Sequence, residues 1–137
     1  MANGHISDEF ADRILAAVLT GDVSGFPSEL KVGLTLELPS DANGTGIEVP
    51  IAGEYAPVTV PVDVSSWNSM GVGSRSMESA VHVVFAQAEE DWGQILGYTL
   101  YDQDDVYLGY GIINPFIITE GMIPRLPTGL IVITMPI

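Results

Sequence analysis

From Asp8 to Thr20 the apolar residues recur with a helical period: Phe10, Ile14 and Val18 stand four apart, with Leu15 and Leu19 beside them. Positions four apart share one face of a 3.6-residue turn, so the spacing predicts an amphipathic helix over residues 7–20. Ser7 is placed to cap it, Asp8 and Glu9 suit the positive end of its dipole, and Gly21 stands just past the last turn. Residues 1–6 are short and polar and read as a flexible N-terminal arm.

The period then changes to two. Leu30, Val32, Leu34, Leu36 and Leu38 alternate with Lys31, Thr35 and Glu37, the clearest strand pattern in the chain. Asn43-Gly44 predicts a turn after it. Val58, Val60, Val62 and Val64 share a face of the next segment, but Pro57 and Pro61 lack backbone donors, which suits an edge strand or a strand against an irregular neighbour. The polar, Gly-rich run 65–79, which carries Trp67, reads as a mobile loop. Val81, Val83 and Phe85 mark one face of a short strand. Ile95–Tyr101, a polar turn at Gln103–Asp105 and a return from Val106 to Ile113 form the best hairpin candidate, interrupted at Asn114-Pro115. A turn follows at Glu120-Gly121, and the apolar run Leu130–Met135 reads as a strand buried on both faces, in a sheet interior or at a subunit contact. With no second helical pattern, βαβ units have little support. The expected fold is a single mainly β domain, residues 7–137, an antiparallel β-sandwich or jelly-roll-like unit with one N-terminal α-helix.

Composition sharpens this picture in two ways. A chain of 137 residues that is 47% hydrophobic, with mean hydropathy +0.32, has more apolar side chains than so small an interior hides. Some of that surface is expected to face other subunits. Eighteen acidic residues against four basic ones give a net charge of −14, which disfavours nucleic acid as a partner because phosphate affinity comes mainly from Lys and Arg. Cysteine is absent, so no disulfide or thiolate site is available. No uninterrupted apolar run approaches the ~20 residues of a membrane span, and the chain is expected to be an untargeted soluble protein with no membrane contact.

Candidate chemistry is sparse. His5 lies in the polar arm and His82 on a strand, neither with a second His or Cys at metal-ligand spacing. No Ser sits in a GxSxG elbow, and Gly71, Gly73 and Ser76 do not complete a dinucleotide-binding loop. Asp102, Asp104 and Asp105 offer oxygens to a hard cation, but Tyr107 and Ile113 stand where a calcium loop of the EF-hand type needs Gly and Glu, so an acidic hairpin turn is the reading preferred. Neither catalytic residues nor a cofactor is expected. Tyr98, Tyr101, Tyr107 and Tyr110, with Trp92, suit either a sugar platform or, more often, cross-strand packing and interface anchoring.

Across the whole chain the order of motifs is more specific than any one site. An amphipathic helix precedes Leu34–Pro39, Glu48–Tyr55, the block Phe85–Asp102 containing DWG and ending in Tyr101-Asp102, and Gly111–Thr134 with its PxG ending. This succession resembles a family of small virion proteins of tailed bacteriophages. The chain departs from the family pattern at Ala56-Pro57, where an Arg is usual, and in a loop before Ser79 rich in Met and Gly. The resemblance implies a non-enzymatic structural role, most simply a capsid decoration or cement protein on the outer shell that binds the major capsid protein and itself as a dimer or trimer. A tail or head-fibre component with host-glycan contact is the alternative it implies. Trp92, Gly93, Tyr98, Tyr101, Asp102 and Trp67 are the candidate structural and interface residues.

Overall fold

The computed structural model describes residues 4–71 and 73–134. Residues 1–3 of the expected arm, Val72 and Met135 lie outside them. The chain is mainly β, with antiparallel sheets and one helix.

Five strands form the main sheet: β1 (Gly4–Ile6), β8 (Tyr107–Ile118), β7 (Gly93–Tyr101), β2 (Glu29–Thr35) and β3 (Val58–Pro61), in that order across it. The 9-residue β7 and 12-residue β8 are its central hairpin. Polar turn residues dictate that hairpin: Asp102 Oδ1 accepts from the amides of Asp104 and Val106 at 2.8 and 2.9 Å. Of the two placements the prolines allow, β3 takes the edge, and Val60 faces inward from it. Val62 and Val64, expected on the same face, lie beyond the strand and are exposed.

Four local expectations are corrected. Residues 4–6 are not a loose arm: β1 pairs with β8, His5 opposite Tyr110. The peptide backbones meet closely because Gly109 has no side chain to strike the His5 carbonyl. The return strand does not stop at Ile113: Asn114-Pro115 interrupts the pairing as a bulge between the Ile95–Phe116 and Gly97–Ile112 pairs, and β8 continues beyond it to Ile118. The 65–79 run is not simply a loop, since β4 (Trp67–Ser69) and β5 (Ser76–Ser79) form a hairpin. Finally, the apolar C-terminal run supplies β10 (Val132–Thr134), an edge strand of the small β10-β5-β4 sheet with Ile133 only half-buried. A two-stranded pair, β6 (Val83–Val84) with β9 (Arg125–Leu126), completes the β structure.

One core runs between these sheets. Val32, Leu34, Tyr98, Leu100 and Leu108 from the main sheet meet Val83, Phe85, Leu126 and Ile131. Tyr98 is fully buried, and its hydroxyl bridges the layers by donating to the Val132 carbonyl and accepting from the Val132 amide, both at 3.1 Å. Burial pushes its pKa up to about 12. The Tyr98 ring occupies the space a side chain at residue 111 would need, so Gly111 is required by packing.

Helix α1 (Asp8–Thr20) begins and ends where the sequence placed it. The Ser7 hydroxyl accepts from the Phe10 amide at 3.1 Å, and Gly21 closes the helix in the left-handed conformation at φ 75°. Its packing differs from expectation. Phe10 reaches the core, but Leu15, Val18 and Leu19 are 56, 73 and 77% exposed, and no residue of the helix is buried.

Candidate functional site

The stretch Ala88–Asp102 joins the motif-bearing segments, and its two ends are fastened by different chemistry. At its start, Asp91 Oδ1 accepts from the Glu120 amide at 2.9 Å and the Trp92 amide donates to the Ile118 carbonyl at 2.9 Å. Gly93 then turns the chain into β7 at φ 99°, a conformation a residue with a Cβ rarely adopts. Trp92 is therefore driven inward, to 4% exposure, where its ring meets Tyr55 edge-on at 5.3 Å and its Nε1 donates to Glu54 Oε1 at 2.7 Å. The same oxygen accepts from the Glu89 amide at 2.8 Å. The Trp92 hydrogen bond, with help from that amide, holds the Glu54 carboxyl below the ordinary carboxylate range.

At its end, Asp102 is 1% exposed and forms a part-buried ion pair, 2.8 Å from Oδ2 to Arg13 Nη1 on α1. Burial alone would raise the Asp102 pKa, but the bond from Arg13 and those from the Val106 and Asp104 amides outweigh it and hold the pKa below its ordinary value. Arg13 also reaches Glu9 at 3.1 Å and the Gly25 carbonyl at 3.3 Å. Asp105 turns away to Lys31 Nζ at 2.8 Å. Asp102 and Asp105 of the acidic turn thus have their carboxylates on cations and amides of the chain itself. Among the described residues no three His, Cys, Asp or Glu side chains converge as metal ligands.

The expected site residues therefore divide. Trp92, Tyr98 and Asp102 are buried and structural, Gly93 sets a backbone turn, and Tyr101 is half-buried, edge-on to Tyr107 at 5.7 Å. A sugar platform of Tyr98 with Trp92 is ruled out, because neither ring face reaches solvent. Trp67 is different. It is half-buried, its Nε1 donates to the Pro61 carbonyl at 3.2 Å, and its ring lines an open apolar groove of about 540 Å³ with Phe10, Ile14, Phe26, Leu30 and Met77. Sequence reasoning selected Trp67 but missed the groove, whose wall is the β4–β5 hairpin read as a loop. The signal available was the excess of apolar residues, which had no position attached to it.

A second, smaller cavity of about 300 Å³ lies at the β1 end of the main sheet, lined by His5, Tyr107, Tyr110 and Asp41. His5 and Tyr110 stack at 4.8 Å there. His82 is exposed, with Nδ1 accepting from the Thr128 amide at 3.2 Å. Among the described residues no helix is long and apolar enough to cross a membrane. Compared with known protein families and with curated proteins, the chain matches none, so the virion resemblance rests on its motifs alone.

Proposed function

We propose that this chain is a non-enzymatic structural protein of a tailed-phage virion, a capsid decoration or cement protein that works through its surfaces. The observation that carries the reading is the apolar face formed by α1 and the groove beside it, where Val18, Leu19 and Val64 are largely exposed. A clamp between shell subunits needs such a face, with a few aromatic and aliphatic anchors, more than it needs a pocket of titratable groups. The motif order supports the virion setting, and Glu54 and Tyr55 packing on Trp92 gives two of its blocks one structural purpose. The partners in this reading are the major capsid protein and further copies of the chain, as a dimer or trimer, on the outer capsid surface.

Quantitative mass spectrometry of purified particles tests it: the expected copy number is comparable with that of the major shell subunit, and a few copies per particle would overturn it. The alternative, a tail or head-fibre component that touches host glycan, is favoured by one feature, the His5–Tyr107–Tyr110 cavity with Asp41 at its edge. Aromatic faces beside a carboxylate suit a sugar ring. Under that alternative a glycan array probed with the purified protein gives hits that Tyr110→Ala removes.

A further inference from the structure

We infer that the groove between α1 and the β10-β5-β4 sheet is a docking site for an amphipathic helix of a partner protein whose apolar face is flanked by Lys or Arg. The inference does not depend on where the protein resides. Two observations carry it. First, the apolar surface is continuous from the groove onto the helix: Phe10 and Ile14 line the groove, and Val18, Leu15 and Leu19 follow around the helix at successive steps of its period, all three mostly exposed. Val64, 96% exposed, stands on the opposite wall. A channel of this size and lining takes large aliphatic side chains spaced at one and two turns of a helix.

Second, the charge around it has one sign. Among the described residues, Asp63 is the only charged side chain lining the groove. Hydrogen bonds from Ser65 and Ser66 hold its carboxyl below the ordinary range, so it is ionised at neutral pH. Asp8 and Asp12 are exposed on α1 too, but the helical period turns them to the side away from Phe10 and Ile14, so they do not border the groove. Of the four basic residues, Arg13 is engaged by Asp102 and Glu9 and Lys31 by Asp105, and neither Arg75 nor Arg125 lines the groove. A second copy, itself at −14, would bring acid against acid, whereas a basic flank meets Asp63 and the acidic chain around it with opposite charge.

The test uses the full chain and a dye-labelled 18-residue helical peptide of Leu and Lys, with a Ser/Lys peptide of equal charge as control, followed by fluorescence anisotropy at physiological salt. Val18→Asp and Val64→Asp alter exposed positions and add negative charge, which by itself strengthens attraction for any polycation. The expected result is saturable binding of the Leu/Lys peptide, little binding of the Ser/Lys peptide, and a loss of roughly tenfold or more in affinity for each variant, the effect of removing an apolar anchor. No binding, equal binding of the Ser/Lys peptide, or equal or tighter binding by the variants would overturn the inference. So would sedimentation showing a dimer of the free chain that either variant dissociates, because the occupant would then be a second copy.

Discussion

The molecule has two tryptophans in opposite circumstances. Trp92 is sealed, with its amide, its Nε1 and its ring each given a partner. Trp67 also has its Nε1 satisfied, yet one side of its ring opens onto a groove whose other wall, α1, shows most of its apolar face to solvent. The difference separates two kinds of residue that look alike in sequence. A side chain whose polar atoms are all satisfied internally is holding the fold; an apolar surface with nothing against it marks where another molecule is expected. The conspicuous DWG…YD block is thus scaffold, and the plain helix at the N-terminus is surface.

Breaking the sealed region should cost most. Trp92→Ala removes a large core ring and leaves a cavity, so a loss of about 4 kcal/mol in unfolding free energy is expected from denaturant titration. A loss below about 1 kcal/mol would mean that this corner is looser than its packing implies.

The Arg13–Asp102 pair is next. Asp102→Ala leaves a mostly buried guanidinium short of its main partner and frees the hairpin turn, for an expected cost of about 3 kcal/mol. The sign of its pH dependence follows from the lowered pKa of Asp102. A carboxylate held below its ordinary value stabilises the fold fully above about pH 4 and loses that contribution as pH falls through the folded value. The stability gap between wild type and Asp102→Ala should therefore be constant from neutral pH down to that range and then narrow. A gap that widens on acidification would contradict the assignment.

A third change distinguishes packing from polar satisfaction inside the core. Thr99 is fully buried, and its Oγ1 has no hydrogen-bond partner among the described residues. Thr99→Val keeps the shape and removes the stranded hydroxyl, so thermal unfolding should show a neutral to slightly stabilising effect, within about 1 kcal/mol. The smallest effect is expected in the open region. Val64→Asp should change stability by less than about 0.5 kcal/mol, since the side chain touches solvent almost entirely. A large loss there would show that the groove wall is packed in solution.

Much of the fold was legible because local chemistry and tertiary structure agree. The period of Phe10, Ile14 and Val18, the Ser7 cap and Gly21 specify α1, and Pro57 and Pro61 suit β3 to the edge it takes. The Gln103–Asp105 turn and the Glu120-Gly121 turn fall where polar and glycine residues cluster. What was missed depends on partners distant in sequence. Strand β1 is three short residues whose pairing is permitted by Gly109, over a hundred positions away. The β4–β5 hairpin has no apolar alternation because only Ser79 of its strand residues is buried. Helical spacing identified the apolar stripe of α1 but could not tell a stripe facing the core from one facing out. Nor could it reveal that Arg13, on the polar side, is what ties the helix to the sheet.

In the proposed function the α1 and Trp67 face is the working surface. A cryo-electron microscopy map of the particle that carries this chain shows whether that face is covered. The predicted result is density for many copies on the outer shell, with Val18, Leu19 and the groove beside Trp67 covered by a neighbouring protein. Density confined to the tail, or shell density with that face bare and the contacts made elsewhere, would contradict it.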